Sequence, residues 1–333
     1  MKRKASDARN RQAKRPRTEP AEEGTGFVPR ARTVARTKRR APVPTEAERR
    51  RENRRDSVGF IDDVYRRYYR GRVRLERGDL NNSLYRFSGY GDPGYIARPL
   101  DEGAFLEFVR GVSHLCKVFC QGGGTLQDGL KKADYIFFDS NVVQKTSSGG
   151  AYDGRIHERR LIVNLTSQQA ALDLAKGLVR LFDLTDDRRI APYFRQFKVK
   201  LSTKTDQGDP VKHDKLVLYY GTDERERGDR VGDELVTFID DRVPDRDRNH
   251  RFGAFYSKVV KGVAWADEPD HIDVPKPRSF TDSRTAALEK VIKDHDYVRG
   301  PDAFFQLVLA EFRRSNIDWP DAHRNREDPE PPS

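Results

Sequence analysis

The stretch that decides the fold is YFRQFKVKLSTKTDQGDPVKHDKLVLYYG, residues 193–221. In its first part the apolar residues Phe197 and Val199 alternate with Lys198 and Lys200. Successive side chains of a strand point to opposite faces of a sheet, so this pattern predicts a strand with one apolar and one cationic face. Two interpretations of the lysines stay open: they solvate an exposed sheet face, or they line a site for an anion.

The remainder of this stretch predicts a partner for that strand. A polar turn through Gly208, Asp209 and Pro210 leads into a second strand, KLVLYYG, and the turn chemistry favours an antiparallel pair. Further apolar runs, ADYIFFDS and RRLIVNL, predict more strands, and amphipathic segments between them predict helices. The sequence therefore predicts an α+β fold, a single globular domain whose mainly antiparallel central sheet is flanked by helices.

Charge is distributed unevenly along the chain. Residues 1–55 contain 19 Lys or Arg against seven Asp or Glu, whereas the whole chain carries a net charge of +11, so the remainder is close to neutral. The first segment has few large apolar side chains and cannot bury enough surface to offset the entropy lost on ordering. We therefore expect a disordered basic tail over 1–55, a globular domain over 56–322 and a disordered tail over 323–333.

Two helix assignments depend on capping and periodicity. Asp56 as an N-cap predicts a helix that runs to Tyr69, and DEGAFLEFVRGVSHLCKVF places apolar residues at helical spacing. The second helix would carry Cys116 and Cys120 on one face as buried thiols. The chain has two cysteines in all, and no histidine stands at the spacing of a zinc site, so we expect neither a metal nor a cofactor.

Several classes of protein find no support in the sequence. No run of about 20 apolar residues predicts a membrane span, and no secretory signal follows the charged N-terminus, so we expect no membrane association. Hydrolase signatures such as Gly-x-Ser-x-Gly and His-Glu-x-x-His are missing, and the seven histidines are scattered. Basic side chains do stand on or beside the predicted strands, namely Arg160, Lys198, Lys200, Lys212 and Lys215.

Six blocks carry a resemblance to a known family. They are RRLIVNL, YFRQFKVK, KHDKLVLYY, VKGVAWADEP, SFTDSRTAALEKV and EFRRSNIDWP. Their order and spacing resemble the HopA-class family of type III secretion effectors, over about residues 60–320. Relatives of that family also occur as lyase subunits of class V lanthipeptide synthetases. The family is in turn similar in core layout to the bacterial phosphothreonine lyases.

The resemblance implies a chemistry and a set of residues. Phosphothreonine lyases eliminate phosphate from a phosphorylated side chain without water or metal: a base removes the Cα proton, an acid protonates the departing phosphate, and fixed cations hold its charge. The resemblance implies that Lys198 is the catalytic base and that Arg160, Lys212 and Arg284 contact the phosphate. A lysine base needs a pKa lowered toward about 7–8, and we expect burial beside Arg160 and Lys212 to lower it.

Two positions depart from the pattern of the lyases. Ile162 stands where the resemblance implies a histidine acid, and isoleucine has no proton to donate. His157 and His213 are near in sequence and are the candidates to replace this acid. Strand parity, however, places His157 on the face opposite to Arg160. Lys212 stands where the family more often has arginine, whose planar fork binds phosphate through two hydrogen bonds.

Three residues are expected around the cations without contacting phosphate themselves. They are Asp214, His213 and His157, and Asp214 is expected, with Glu158, to orient the cations.

Three hypotheses about function stay open. The first is a carbon–oxygen lyase acting on phosphoserine or phosphothreonine in a peptide or protein. The second is a non-catalytic effector or binding module that recognises a phosphorylated or acidic partner. The third is a nucleic-acid binder that uses the basic tail, since residues 2–17 contain two basic clusters that match either a phosphate-binding arm or a signal for an import receptor.

The resemblance also implies where such a protein works. It implies a protein of the bacterial cytoplasm or one secreted into a host cell, with a secretion chaperone as a partner. An import signal in residues 2–17 would direct it to the host nucleus.

Overall fold

The computed structural model describes residues 45–76, 78–92, 94–143, 156–185, 189–205, 211–223, 228–269 and 278–327. The helices are α1 Glu46–Tyr68, α2 Leu80–Gly89, α3 Glu102–Gly111, α4 Leu126–Lys131, α5 Gln168–Leu178, α6 Arg230–Arg242, α7 Phe280–Asp294 and α8 Pro301–Arg314, with short 3₁₀ helices at Val179–Phe182 and Asp245–Asp247. The strands are β1 Tyr69–Arg70, β2 Val73–Arg74, β3 Tyr90–Asp92, β4 Cys116–Cys120, β5 Tyr135–Ser140, β6 Ile156–Val163, β7 Phe194–Lys200, β8 Val211–Lys212, β9 Leu216–Asp223, β10 Ser257–Val260 and β11 Val263–Asp267.

Seven of these strands form one antiparallel sheet in the order β10-β11-β6-β9-β7-β5-β4. The strand of Lys198 pairs with β9 in the antiparallel sense that the sequence predicts. Helices pack against both faces of the sheet. The predicted α+β fold with a central antiparallel sheet flanked by helices is therefore confirmed.

One face of the sheet, which we call the core face, carries Leu161, Phe197 and Leu218 and packs against α3, α5 and α6. Phe197 is fully buried there, with its ring 4.6 Å from that of Phe138 and 5.8 Å from that of Phe182. The apolar half of the alternating pattern on β7 is thus buried as predicted. It fixes which side chains of β7 are left for the other face.

The opposite face, which we call the site face, carries Ile162, Lys198 and Val217. Ile162 and Val217 belong to a second hydrophobic cluster with residues of α1, α2, α7 and α8. The sheet residues of that cluster come from β6, β9 and β11. The helices therefore cover the half of the site face that β6, β9 and β11 form. Lys198 lies on the neighbouring strand β7, at the edge of this covered half.

The boundaries of the globular domain are wider than predicted. Helix α1 begins at Glu46, where Thr45 forms a capping box with Glu48, so the N-cap lies eleven residues before the predicted Asp56. At the other end His323 is buried, with its ring 4.7 Å from that of Trp265. Residues 46–55 and 323–327 are therefore folded, which corrects both predicted tails; residues 1–44 and 328–333 lie outside the described residues.

One local assignment is also wrong. Helix α3 ends at Gly111, and Cys116–Cys120 forms the strand β4. Residues four apart share a face in a strand as well as in a helix, so both thiols are buried on the core face even though the assigned element was wrong. The glycine-rich segment after β4 leads into the helix α4, with Thr125 as its N-cap.

We predict that Phe197→Ala lowers the free energy of unfolding by about 3–5 kcal/mol, because it leaves a cavity between aromatic rings that cannot all move in to fill it. Urea denaturation followed by circular dichroism measures the loss. Val73→Ala is the control, since Val73 is 55% exposed and should cost little. Equal losses in the two variants would contradict the assignment of Phe197 to the core.

Candidate functional site

Lys198 is the central cation of the candidate site. On the site face it lies between Val217 of β9 and Phe137 of β5, and its side chain is partly exposed. Its Nζ atom is 4.5 Å from the ring centre of Tyr135 and 5.9 Å from that of Tyr219. The electron-rich faces of aromatic rings attract cations, so these rings stabilise the charged form of Lys198.

The pKa of Lys198 is raised above its ordinary value of 10.5. Burial acts to lower it, but the Tyr219 hydroxyl, to which the side chain is hydrogen-bonded, and the Asp214 carboxylate outweigh that effect. Lys198 is therefore an ammonium group at neutral pH. The expected lowering of its pKa by burial beside Arg160 and Lys212 is wrong.

Arg160 is buried on β6 and held by a carboxylate. Its Nε and Nη2 atoms both donate to Glu268, Nη2 at 2.7 Å, and Nη1 donates to the Tyr256 hydroxyl at 3.4 Å. Burial acts to raise the pKa of Glu268, but the charge of Arg160 and its hydrogen bonds outweigh burial and lower it. The guanidinium of Arg160 is thus already paired with Glu268. An anion that binds Arg160 has to share it with that carboxylate.

Arg284 extends from α7 and is also fully buried. Its guanidinium donates to the carbonyls of Ala322 at 3.2 Å and Arg324 at 3.3 Å and to Ser283 Oγ at 2.8 Å. Within the described ranges no carboxylate forms an ion pair with it. Burial, reinforced by the charge of Arg160, lowers the pKa of Arg284 to about 10. Arg284 is a buried cation that backbone dipoles stabilise in place of a counter-ion.

Lys212 and Lys200 line an open cavity of about 480 Å³ beside Lys198. Lys212 Nζ donates to the Tyr85 hydroxyl and Lys200 Nζ donates to the Ala133 carbonyl, both at 2.7 Å. Burial and the charge of Lys212 lower the pKa of Lys200. Of the two interpretations that the sequence left open for this lysine, lining a site therefore fits Lys200 better than solvating an exposed sheet face. The other lining residues are Gln121, Gly122, Asp134, Tyr135 and Val211.

Tyr85 of α2 shows that the cations form one cluster. Burial is the main reason that the pKa of its hydroxyl is raised to about 12. Asp214 adds to this increase, while Lys198 and Arg160 act to lower the value. The fold therefore brings Arg160, Lys198 and Lys212 together around one tyrosine, and we call these three residues the cation cluster.

Position 162 on β6, where the resemblance implies a histidine acid, holds no proton donor. Ile162 is fully buried in the second hydrophobic cluster, so its side chain is packing. Strand β6 runs without a bulge, which puts His157 on the face opposite to Arg160, where it is exposed. His213 is buried, with Nδ1 3.5 Å from Nδ2 of Asn164, two residues after Ile162 along the chain.

The two expected carboxylate partners do contact the site. Asp214 Oδ1 accepts a hydrogen bond from the Tyr135 hydroxyl at 3.1 Å, and its charge helps to raise the pKa of Lys198. Glu158 Oε2 lies 3.4 Å from Nη2 of Arg195. Both carboxylates therefore stand beside cations, in keeping with an orienting role.

The site also contains Arg195, Tyr219 and Glu268, which no pattern in the sequence indicated. Arg195 is buried, its guanidinium lies 5.5 Å from the Tyr219 ring, and in the described structure its Nε has no hydrogen-bond partner. A register shift between Phe194 and Gln196 lets Arg195 join Lys198 on the site face despite their odd separation. Simple alternation could not reveal that bulge.

The described residues hold no group of three or more His, Cys, Asp or Glu side chains arranged to bind a metal ion. No helix in this part of the chain is long and apolar enough to cross a membrane.

Comparison with known proteins gives similarity at the level of fold. Neither a protein-family model nor a curated protein matches the chain. The structure of the effector protein from Pseudomonas syringae pv. syringae strain 61 is similar, with a TM-score of 0.55 and 12% identity over 83% of this chain and 98% of that one. The effector protein from Pseudomonas syringae pv. tomato strain DC3000 gives a TM-score of 0.55 and 14% identity over 83% and 100%. The resemblance to effectors is therefore confirmed for the fold.

We predict that Glu268→Gln lowers the free energy of unfolding at pH 7 by about 3–5 kcal/mol, because it leaves Arg160 buried without its counter-ion. The lowered pKa of Glu268 means that its contribution is present above its ordinary value of 4.5 and is lost as the pH falls through the folded-state value. The difference from wild type should therefore shrink below about pH 4.5. Urea denaturation across pH measures both effects.

Glu46→Gln is the control for that experiment. Glu46 forms an ion pair with Arg50 at the surface, and its own side chain is 67% exposed. Such a pair should contribute less than about 1 kcal/mol to the free energy of unfolding. A Glu268→Gln protein as stable as this control would contradict the buried pair.

Proposed function

We propose that this protein is of the effector type and binds a phosphorylated side chain of a partner peptide or protein through the cation cluster, without turning it over. The similarity of its fold to two structures that are described as effector proteins supports the first part. The charge and geometry of the site face support the second part. An acidic side chain is the weaker ligand of the same kind.

The setting of Lys198 is the observation that carries the proposal. Its pKa is raised, it stands among aromatic rings, and no carboxylate of the described residues forms an ion pair with it. Arg284 is likewise buried without an ion pair in the described structure. Removing a cation from water is costly unless an opposite charge compensates it, so a multiply charged anion is the natural ligand of this cluster.

The same features disfavour turnover. A lysine base must lose its proton, and the environment of Lys198 stabilises the protonated form. The position of the acid is filled by the buried side chain of Ile162. A site with strong anion contacts and without a matched acid and base binds its ligand and leaves it intact.

Elimination of phosphate is the second candidate, and the position of His213 favours it. The histidine lies beside Asn164, two residues after Ile162 along the chain. In that case His213 would replace the missing acid, and Lys198 would have to lose its proton when the substrate binds.

Partners and location follow from this proposal. A phosphorylated protein of a host cell is the partner that suits an effector-type protein, with a secretion chaperone before delivery. Binding of nucleic acid or of an import receptor through residues 2–17, and entry into the host nucleus, stay predictions from the sequence.

We predict that Lys198→Met weakens binding of a phosphothreonine peptide at least tenfold, because it removes a charge-assisted hydrogen bond worth about 1.5–3 kcal/mol. Fluorescence anisotropy of the labelled peptide with the full-length protein measures the affinity. Lys204→Met is the matched control, since Lys204 is exposed beyond the end of β7. Equal affinities in wild type and Lys198→Met would overturn the assignment of the site.

We also predict that mass spectrometry finds the phosphopeptide unchanged after long incubation with the protein. Its affinity should rise as the phosphate loses its second proton near pH 6 and then stay constant to about pH 9, since Lys198 keeps its charge over that range. If dehydrated peptide forms with wild type and not with Lys198→Met, the protein eliminates phosphate and the proposal of binding without turnover is wrong.

A further inference from the structure

Two aromatic side chains on the site face belong to neither hydrophobic cluster. Phe119 of β4 and Phe137 of β5 are partly exposed, and their rings stack on each other with centres 5.2 Å apart and planes 6° apart. We call them the aromatic pair. They lie on the half of the sheet where no residue of α1, α2, α7 or α8 joins the strands in a cluster. Partly exposed aromatic rings beside a polar site are a common mark of a binding surface.

The aromatic pair is continuous with the cation cluster. Lys198 is the cross-strand partner of Phe137, and Phe137 is the cross-strand partner of Phe119. Nζ of Lys198 lies 5.7 Å from the Phe137 ring. Adjacent strands are about 4.8 Å apart, so the middle of the pair lies roughly 7 Å from the strand of Lys198. Lys117, two residues from Phe119 on the same face, is exposed and adds positive charge to this border.

We propose that the aromatic pair binds an apolar side chain of the same peptide, two residues away from the phosphorylated residue. This inference rests on the proposed function and specifies its substrate class: an extended segment with one phosphorylated residue and a large apolar residue at position −2 or +2.

The spacing comes from the geometry of an extended chain. Each residue advances about 3.3 Å and side chains alternate between two sides, so residues two apart point the same way at about 6.6 Å. That distance matches the separation between the strand of Lys198 and the middle of the aromatic pair. A residue next to the phosphorylated one points away from the sheet, and a residue three away does so too.

A single-stranded nucleic acid also combines phosphate with flat apolar groups, but the pair is poorly arranged for it. Base stacking needs an open ring face. The ring of Phe137 has Phe119 stacked on its β4 side and the Lys198 ammonium on its β7 side. What remains accessible of the Phe137 ring is mainly its edge, which suits an aliphatic side chain lying across it better than a base.

The test uses the full-length protein and short labelled peptides with one phosphothreonine in a glycine–serine background, with a leucine placed in turn at each position from −3 to +3. Fluorescence anisotropy should show affinity about five- to tenfold higher for leucine at −2 or at +2 than for the leucine-free phosphopeptide. Leucine at the odd positions should have little effect. A wild-type protein without preference for −2 or +2 would overturn the inference, whatever the behaviour of the variants.

Phe119→Ser should abolish this gain and leave the affinity for the leucine-free phosphopeptide unchanged. Leu184→Ser, which changes an exposed residue after the 3₁₀ helix on the other side of the sheet, should keep the gain. A gain that survives Phe119→Ser in a folded protein would count against the aromatic pair. Displacement of the leucine peptide by oligothymidylate in wild type, lost in Phe119→Ser, would assign the pair to nucleic acid and overturn the inference.

The two proposals fail in different ways. If the leucine-free phosphopeptide does not bind, the proposed function is wrong and the inference falls with it. If that peptide binds and leucine at −2 or +2 adds nothing, the anion site stands and only the aromatic pair is wrongly assigned.

Discussion

Burial of the core face of the central sheet is the constraint on which the rest of the structure depends. Phe197 and Val199 of β7 are fully buried on the core face. The strand therefore cannot shift its register by one residue without exposing them. Lys198 is therefore fixed on the opposite face. The helices there cover β11, β6 and β9, and the site forms at the limit of their cover, where the sheet can hold cations without leaving them in bulk water.

Charge balance explains why this limit suits an anion. Arg160 has its own carboxylate, Arg284 uses backbone carbonyls, and Lys198 uses aromatic rings and a hydroxyl. Each solution keeps the cation charged away from bulk water, and the last two leave its charge without an ion pair in the described structure. The protein thus maintains a positive pocket of fixed shape, in which an anion gains more than it would at a solvated lysine on the surface.

The sequence predicted the fold through patterns that depend only on neighbouring residues. Alternation on β7 and its antiparallel partner β9 followed from period two and from turn residues, and the cluster of Arg160, Lys198 and Lys212 followed from the blocks of the resemblance. What escaped depends on pairing between distant segments. The bulge at Arg195 and the pairing of Arg160 with the Glu268 carboxylate become visible only when β6, β7, β9 and β11 are assembled. The direction of the pKa shift of Lys198 needed the position of Tyr219.

The account depends most directly on the protonation of Lys198. Nuclear magnetic resonance of the full-length protein with ¹³Cε-labelled lysine, assigned through Lys198→Arg, measures the titration of that one side chain. We predict a midpoint above its ordinary value of 10.5, as an ammonium group held by Tyr219 and Asp214 requires. A midpoint near 7–8 would contradict the account, because a lysine with that pKa is suited to abstract a proton.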